Sequence, residues 1–374
     1  MLNFSFSQTQ IFLRRTFNFC SFGEILKKMP KRYLFFVSLP YSYSILRPLQ
    51  EEIRKRGDEA AWFIEKPCEV LLTNDEEQLH TIQDVLEYAP IAVFAPGNHI
   101  YDFFPGVKVE VFHGYAMKKR IEKIDDHFTI RGWFDIYCTQ GPSSTEYFKK
   151  LEKEKGFFKI YETGWCKVDP FFSVEHKVEN ERPLILYSPT FTKGISSAEA
   201  LHNTLENLMA IKPWDWLITF HPKLDDPELI EKYRALAANF PNVTFQRFND
   251  GLNTLKKIDV MLCDSSSIII EAMLLEKPVV TYRNTHPGKH LINVLDKNEI
   301  GAALEKAMKR PENLMQEIRK YTLHHEAHRD GKNSERVLLA VDDFIENYQG
   351  KLKPKPLNLV RKLKLRWKTK YFKL

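Results

Sequence analysis

A chain of 374 residues with 43% hydrophobic and 28% charged side chains can fill two packed cores, which excludes an intrinsically disordered or fibrous protein. The formal charge of +6 is local: ten Lys or Arg and no acid fall within residues 351–374, leaving 45 basic against 49 acidic residues elsewhere, so the body is not a nucleic-acid-binding surface. Five scattered cysteines (Cys20, Cys68, Cys138, Cys166 and Cys263), with no CxxC pair or His–Cys cluster, imply neither a disulfide framework nor a zinc site and fit a reducing cytoplasm.

Residues 1–28 lack both a continuous apolar core and a small-residue cleavage site, which argues against a secretory signal. They are expected to be a disordered or loosely attached extension, with Met29 as an alternative start. Residues 33–39 (YLFFVSL) are a continuous apolar run of strand length, suited to a buried parallel sheet. Leu46, Leu49 and Ile53 then recur at helical spacing, and Arg54, Lys55, Arg56 and Gly57 close that helix. Residues 60–64, 89–94, 107–112 and 133–139 continue as strands, the last leading to a helix over 144–153 with Ser143 as its expected cap. A GxGxxG is missing after the first strand, so a dehydrogenase-type dinucleotide site is not expected.

A polar connector, residues 173–183, marks the expected domain boundary. The second half repeats the rhythm: strands over 184–187, 214–220, 243–248 and 258–263, helices over 196–209 and 227–239, and a short helix over 252–257. From residue 298 to 348 the pattern is helical with breaks near Pro311 and Asp330-Gly331. The expected fold is α/β, two Rossmann-like domains facing a cleft. Residues 29–172 form the N-terminal domain, 181–349 the C-terminal domain and 350–374 a basic tail.

Between strand 258–263 and the apolar helix IIIEAMLLEK stands Asp264-Ser265-Ser266-Ser267, a turn of one carboxylate and three hydroxyls. Helix N-termini leave backbone N–H groups unpaired, so a small-residue turn there admits an anion such as phosphate. Ordinary helix capping reads the same four residues equally well. Thr190, after strand 184–187, and His221, after strand 214–220, are predicted on the same sheet edge as the turn, which favours anion binding. His113-Gly114 follows strand 107–112 in the first half; a structural histidine is the plainer alternative there.

Taken together, HGYAMK at His113, SPTF at Ser188, HPK at His221, DVMLCDSSSIIIEAMLLEKPVVTY at Asp259 and DGKNSERV at Asp330 resemble the CDP-glycerol glycerophosphotransferase family, the teichoic-acid primases and polymerases. The resemblance spans roughly residues 105–340. It implies a GT-B-type fold, a CDP-activated donor and transfer of glycerol phosphate to a hydroxyl of a cell-surface or capsular glycan, or of a lipid-linked acceptor, with release of CMP. In that family frame His113 is a general base toward the acceptor, and His221 a ligand or charge stabiliser for the donor phosphates. Ser265, Ser266 and Ser267, after Asp264, cradle the pyrophosphate. Ser188, Thr190, Lys193 and Lys223 fall on the donor side, and Gly114 and Lys118 beside His113; Lys118 and Lys223 each read equally well as solvated surface charge. One departure is plain: Thr192 stands where the family carries an arginine after the PT-aromatic motif, with Lys193 next, and a point charge replaces a bidentate fork.

The tail interleaves Leu357, Leu359, Val360, Leu363, Leu365, Trp367, Tyr371 and Phe372 with its cations, the composition of a segment on an anionic membrane surface; a solvated or RNA-binding tail is the alternative. The expected location is cytoplasmic, peripheral on the inner face of the cell membrane. Asp125-Asp126 and Asp225-Asp226 read as surface charge, so no tightly bound cofactor or metal is expected, and Mg²⁺ would arrive loosely with the nucleotide. Two other functions fit the sequence: a GT-B-type glycosyltransferase using a nucleotide-sugar donor, and a non-catalytic membrane-surface binding protein.

Overall fold

The computed structural model describes residues 29–115, 128–172, 180–221, 224–247 and 251–372; the expected extension 1–28, Lys118 and Lys223 lie outside the described residues. The first sheet has seven parallel strands in the order β3-β2-β1-β4-β5-β6-β7. These are β1 (Arg32–Val37), β2 (Glu59–Ile64), β3 (Glu77–Leu79), β4 (Ala92–Ala95), β5 (Val107–Glu110), β6 (Ile136–Thr139) and β7 (Lys159–Glu162). Helices α1 (Ser42–Lys55), α2 (Ile82–Tyr88), α3 (Pro142–Lys155) and α4 (Asp169–Phe172) accompany them. Covered on both faces, the central strands print as continuous apolar runs, and Tyr33, Leu34, Phe35 and Val37 of β1 are fully buried. Helix α3 is capped by Gly141 and starts at Pro142, two residues earlier than the expected cap Ser143, because proline's fixed φ suits the first helical position.

The second sheet has six parallel strands in the order β10-β9-β8-β11-β12-β13. They are β8 (Leu184–Tyr187), β9 (Asp215–Phe220), β10 (Val243–Arg247), β11 (Val260–Cys263), β12 (Val279–Tyr282) and β13 (Ile292–Val294). Helices α5 (Ala198–Ile211), α6 (Pro227–Ala238), α7 (Gly251–Lys257), α8 (Ile268–Leu274), α9 (Ile300–Met308) and α10 (Glu312–His325) complete it.

Helix α11 (Asn333–Asn347) leaves the second sheet and packs against α1, β5, β6 and β7 of the first. Its buried face, Val337, Leu338, Val341 and Phe344, joins the core cluster that holds Tyr33 and Phe35. The span 181–349 therefore divides between the two domains, because α11's apolar stripe finds its cover on the first. Asp169 fixes the crossing by accepting from Asn333 N at 2.8 Å and Ser334 N at 2.7 Å, a carboxylate at a helix N-terminus.

The tail also docks on the first domain, through α12 (Leu359–Thr369). Leu365 is buried in a cluster with Phe36 and Phe104, and Arg366 forks onto Asp102 at 2.7 and 3.2 Å. Lys355 reaches Asp135 at 2.7 Å and Lys368 reaches Glu65 at 2.6 Å. Lys362, Arg366 and Lys368 of this helix thus face protein acids, Arg361 and Lys364 are exposed, and Leu359, Val360, Leu363 and Trp367 stand exposed as well, Trp367 at 75%. Among the described residues no helix is long and apolar enough to cross a membrane.

Candidate functional site

Strand order reverses between β8 and β11 in the second sheet and between β1 and β4 in the first, and ligands of open parallel sheets bind outside the carboxyl ends of strands at such points. In the second domain the two strand ends are residues 188–190 and 264–267. Asp264 is fully buried and accepts from Thr190 N at 2.9 Å, Ser197 N at 2.9 Å, Ser197 Oγ at 2.9 Å and Ser265 N at 2.7 Å. Burial raises its pKa, against the pull of those donors. Its carboxylate faces into the protein and ties the loop after β8 to the turn after β11. It braces the two loops from behind, because both of its oxygens are spent on protein donors.

Ser265 is likewise turned inward: its Oγ accepts from Thr285 N at 2.9 Å and it is 2% exposed. Ser266 and Ser267 are the half-buried members of the turn, and Ser267 holds the cap position of α8 without a side-chain cap bond. Helix α8 runs for only seven residues, so its dipole is short and the hydroxyls and turn N–H groups carry most of any anion binding. Ser188 is fixed by its backbone, N to Leu262 O at 3.0 Å. Thr190 is 3% exposed, and its Oγ1 is a buried oxygen without a hydrogen-bond partner. An unpaired buried hydroxyl costs stability unless a water or a ligand pairs it. His221 stands exposed after β9 with its ring against Phe191, centroids 4.4 Å apart, and Lys193 is exposed on the next turn.

In the first domain, the carboxyl ends of β1, β2, β4 and β5 border an open cavity of about 340 Å³ whose lining includes Ser38, Tyr41, Glu65, Gly97, His99 and His113. His113 follows Phe112, whose φ of 57° is left-handed, a strained choice for a side chain of this size. Trp165 Nε1 holds the Phe112 carbonyl at 3.2 Å, and this reversal directs His113 out of the sheet edge. The His113 ring stacks on Tyr41, centroids 5.4 Å apart, with Nδ1 3.3 Å from Pro96 O. Donation of Nδ1–H to that carbonyl assigns the basic lone pair to Nε2. Burial, then Glu110, pushes the Tyr41 phenol up to about 12, so it stays an O–H donor.

Sequence reasoning missed the Glu65–His99 pair. Glu65 accepts from His99 Nε2 at 2.9 Å, Tyr101 OH at 3.0 Å and Lys368 Nζ at 2.6 Å. Burial alone would raise its pKa, but the bonds from His99 and Lys368 prevail and hold it at about 2. No sequence signal links these residues, which sit 34 and 303 positions from Glu65.

The two sides meet at Gly114: a β-carbon there would lie 3.9 Å from Ser267 Oγ. Gln140 Nε2 fixes the Gly114 carbonyl at 2.9 Å. Gly114 and Ser267 thus face each other where the two domains meet, next in sequence to His113 and Ser266, while Thr190 follows β8 and His221 follows β9 on the same edge of the second sheet. Among the described residues no group of three His, Cys, Asp or Glu is placed to hold a metal ion.

The sequence matches no protein-family model and no curated protein. Solved structures do match. The UDP co-structure of MnaA from S. aureus aligns with a TM-score of 0.58 at 15% identity, over 87% of this chain and 99% of that one. A putative UDP-N-acetylglucosamine 2-epimerase from Listeria monocytogenes gives 0.56 at 14%, over 85% and 97%. A glycosyltransferase from Rickettsia africae gives 0.51 at 12%, over 85% and 100%. At these identities the likeness is one of fold, and with the two sheets and the cleft between them it shows that the chain is α/β with a two-domain GT-B-type fold.

Proposed function

We propose that the protein transfers glycerol phosphate from CDP-glycerol to a hydroxyl of a cell-surface glycan or lipid-linked acceptor, releasing CMP. The observation that carries this reading is the approach of Gly114 to Ser267, which sets the histidine of one domain opposite the serine turn of the other. The family resemblance of those same two motifs supplies the donor. In this reading the acceptor oxygen attacks the β-phosphorus, the bond to the bridging oxygen breaks, CMP leaves, and His113 takes the hydroxyl proton. Ser266 and Ser267 pair the pyrophosphate, Thr190 Oγ1 gains the partner it lacks, and His221 and Lys193 offset charge on the leaving CMP. Such a transfer needs alignment and charge neutralisation more than covalent help, and loosely bound Mg²⁺ would travel with the nucleotide. The outward apolar stripe of α12, beside the tail's cations, supports peripheral binding to an anionic membrane.

The test is acceptor-dependent release of CMP from CDP-glycerol by purified protein, abolished in His113→Ala. Retained activity in that variant would remove His113 from the chemistry. A second reading, transfer of a sugar from a nucleotide-sugar donor, is favoured by the fold likeness to a UDP-bound structure. Assays with UDP-sugars that release UDP, while CDP-glycerol never yields CMP, would establish it in place of the first.

A further inference from the structure

One lining residue of the first-domain cavity is held by the far end of the chain. Glu65 lines it, is 6% exposed, and is ionised because three donors converge on it. One donor is Lys368, from the tail helix, and another is His99, a second lining residue. Keeping a buried carboxylate is costly unless its donors are held in place. Here they are: α12 is pinned by the Arg366 fork onto Asp102 and by buried Leu365. Fixing Nε2 on Glu65 sets the His99 ring plane and leaves Nδ1 as its remaining polar atom, in a side chain 43% exposed.

The lining also decides the ligand's charge. Among the described residues no Lys or Arg lines the cavity, and its one carboxylate is paired with Lys368. Among these described groups a phosphate would find no unpaired cation, and an ammonium no unpaired acid. What remains is hydroxyl chemistry: Ser38 Oγ, the Tyr41 O–H, the imidazoles of His99 and His113, and the Gly97 backbone, in about 340 Å³, space for one sugar ring or a short polyol.

We propose that this cavity binds an uncharged polyhydroxyl group, the hydroxyl-bearing end of the acceptor, and that the tail helix belongs to the site. His99 is the binding residue, and Glu65 and Lys368 are its positioning residues. The proposal rests on the first domain being the acceptor side, and deepens that reading by giving the acceptor end its chemical class.

Saturation-transfer NMR with glycerol and with methyl glucopyranoside, on the full chain with CDP present, provides the test and separates a polyol from a sugar ring. At least one probe should bind the wild type. His99→Ala and Lys368→Met should weaken that binding roughly tenfold, with CDP affinity unchanged within about twofold, and Lys368→Arg should restore it. In transfer assays the same variants should raise the acceptor KM more than they lower kcat. Equal probe binding by wild type and both variants overturns the proposal, as does binding of neither probe by the wild type. If the probe binds and CDP does not, the donor assignment falls and the cavity assignment stands.

Discussion

Gly114 and Ser267 face each other across the cleft, a β-carbon on the first standing 3.9 Å from the hydroxyl oxygen of the second. That distance is an ordinary contact, so Gly114→Ala should bind CDP within about twofold of wild type. Gly114→Val puts branched carbon into the gap and should weaken CDP roughly tenfold, with a stability change under about 0.5 kcal/mol since no core is touched. Calorimetric titration and thermal melts on both variants check this.

Asp264 and Ser266 should separate stability from binding. Asp264→Asn turns an amide N–H₂ toward donors that now meet a carboxylate, and should cost about 2–4 kcal/mol in denaturant unfolding. Ser266→Ala should cost under about 0.5 kcal/mol while weakening CDP about fivefold to tenfold. Equal destabilisation by the two would contradict an inward Asp264 and an outward Ser266.

Thr190→Val should act in opposite directions on the free and bound protein. Its hydroxyl oxygen is buried without a partner, so the isosteric change should leave the free protein as stable or up to about 1 kcal/mol more stable. If the proposed donor site is right, the ligand is the oxygen's partner and nucleotide affinity should fall roughly tenfold. A destabilised free protein with unchanged affinity would refute that pairing.

Glu326 gives the fold a pH dependence of unusual sign. Burial raises its pKa from 4.5 to about 8, against the bonds from Tyr115 OH, Trp165 N and Asn333 Nδ2, with Asp169 raising it further. Arg329 also lies near, its own pKa lowered by burial. The folded state keeps a proton that the unfolded chain releases above 4.5, so this group's contribution to stability declines between pH 4.5 and about 8. Glu326→Gln should flatten the decline. Chemical denaturation at pH 5, 6, 7 and 8 reads this out.

The parallel strands were legible because burial on both faces turns them into apolar runs, and Pro311 and Gly331 mark the starts of α10 and α11. Edge strands β3, β7 and β13 were not, being three or four residues each with polar positions. Helix α2 was overlooked although Thr81 and Asp84 write its capping box in the sequence. Within the site, motif reading found the residues that follow strands, and only three-dimensional packing shows that Asp264 and Ser265 turn inward. The Glu65–His99–Lys368 cluster was illegible in principle, since it joins three distant segments by a carboxylate's need for donors.

The return of α11 has a consequence for synthesis. Leu338, Val341 and Phe344 fill the core under β1, yet they emerge from the ribosome after every strand of the second sheet. The later domain can therefore close while the earlier one still lacks a wall. A chain stopped after residue 325 would present the apolar face of α1 and β5 to solvent, with aggregation, not mere inactivity, as the expected fate of such a fragment.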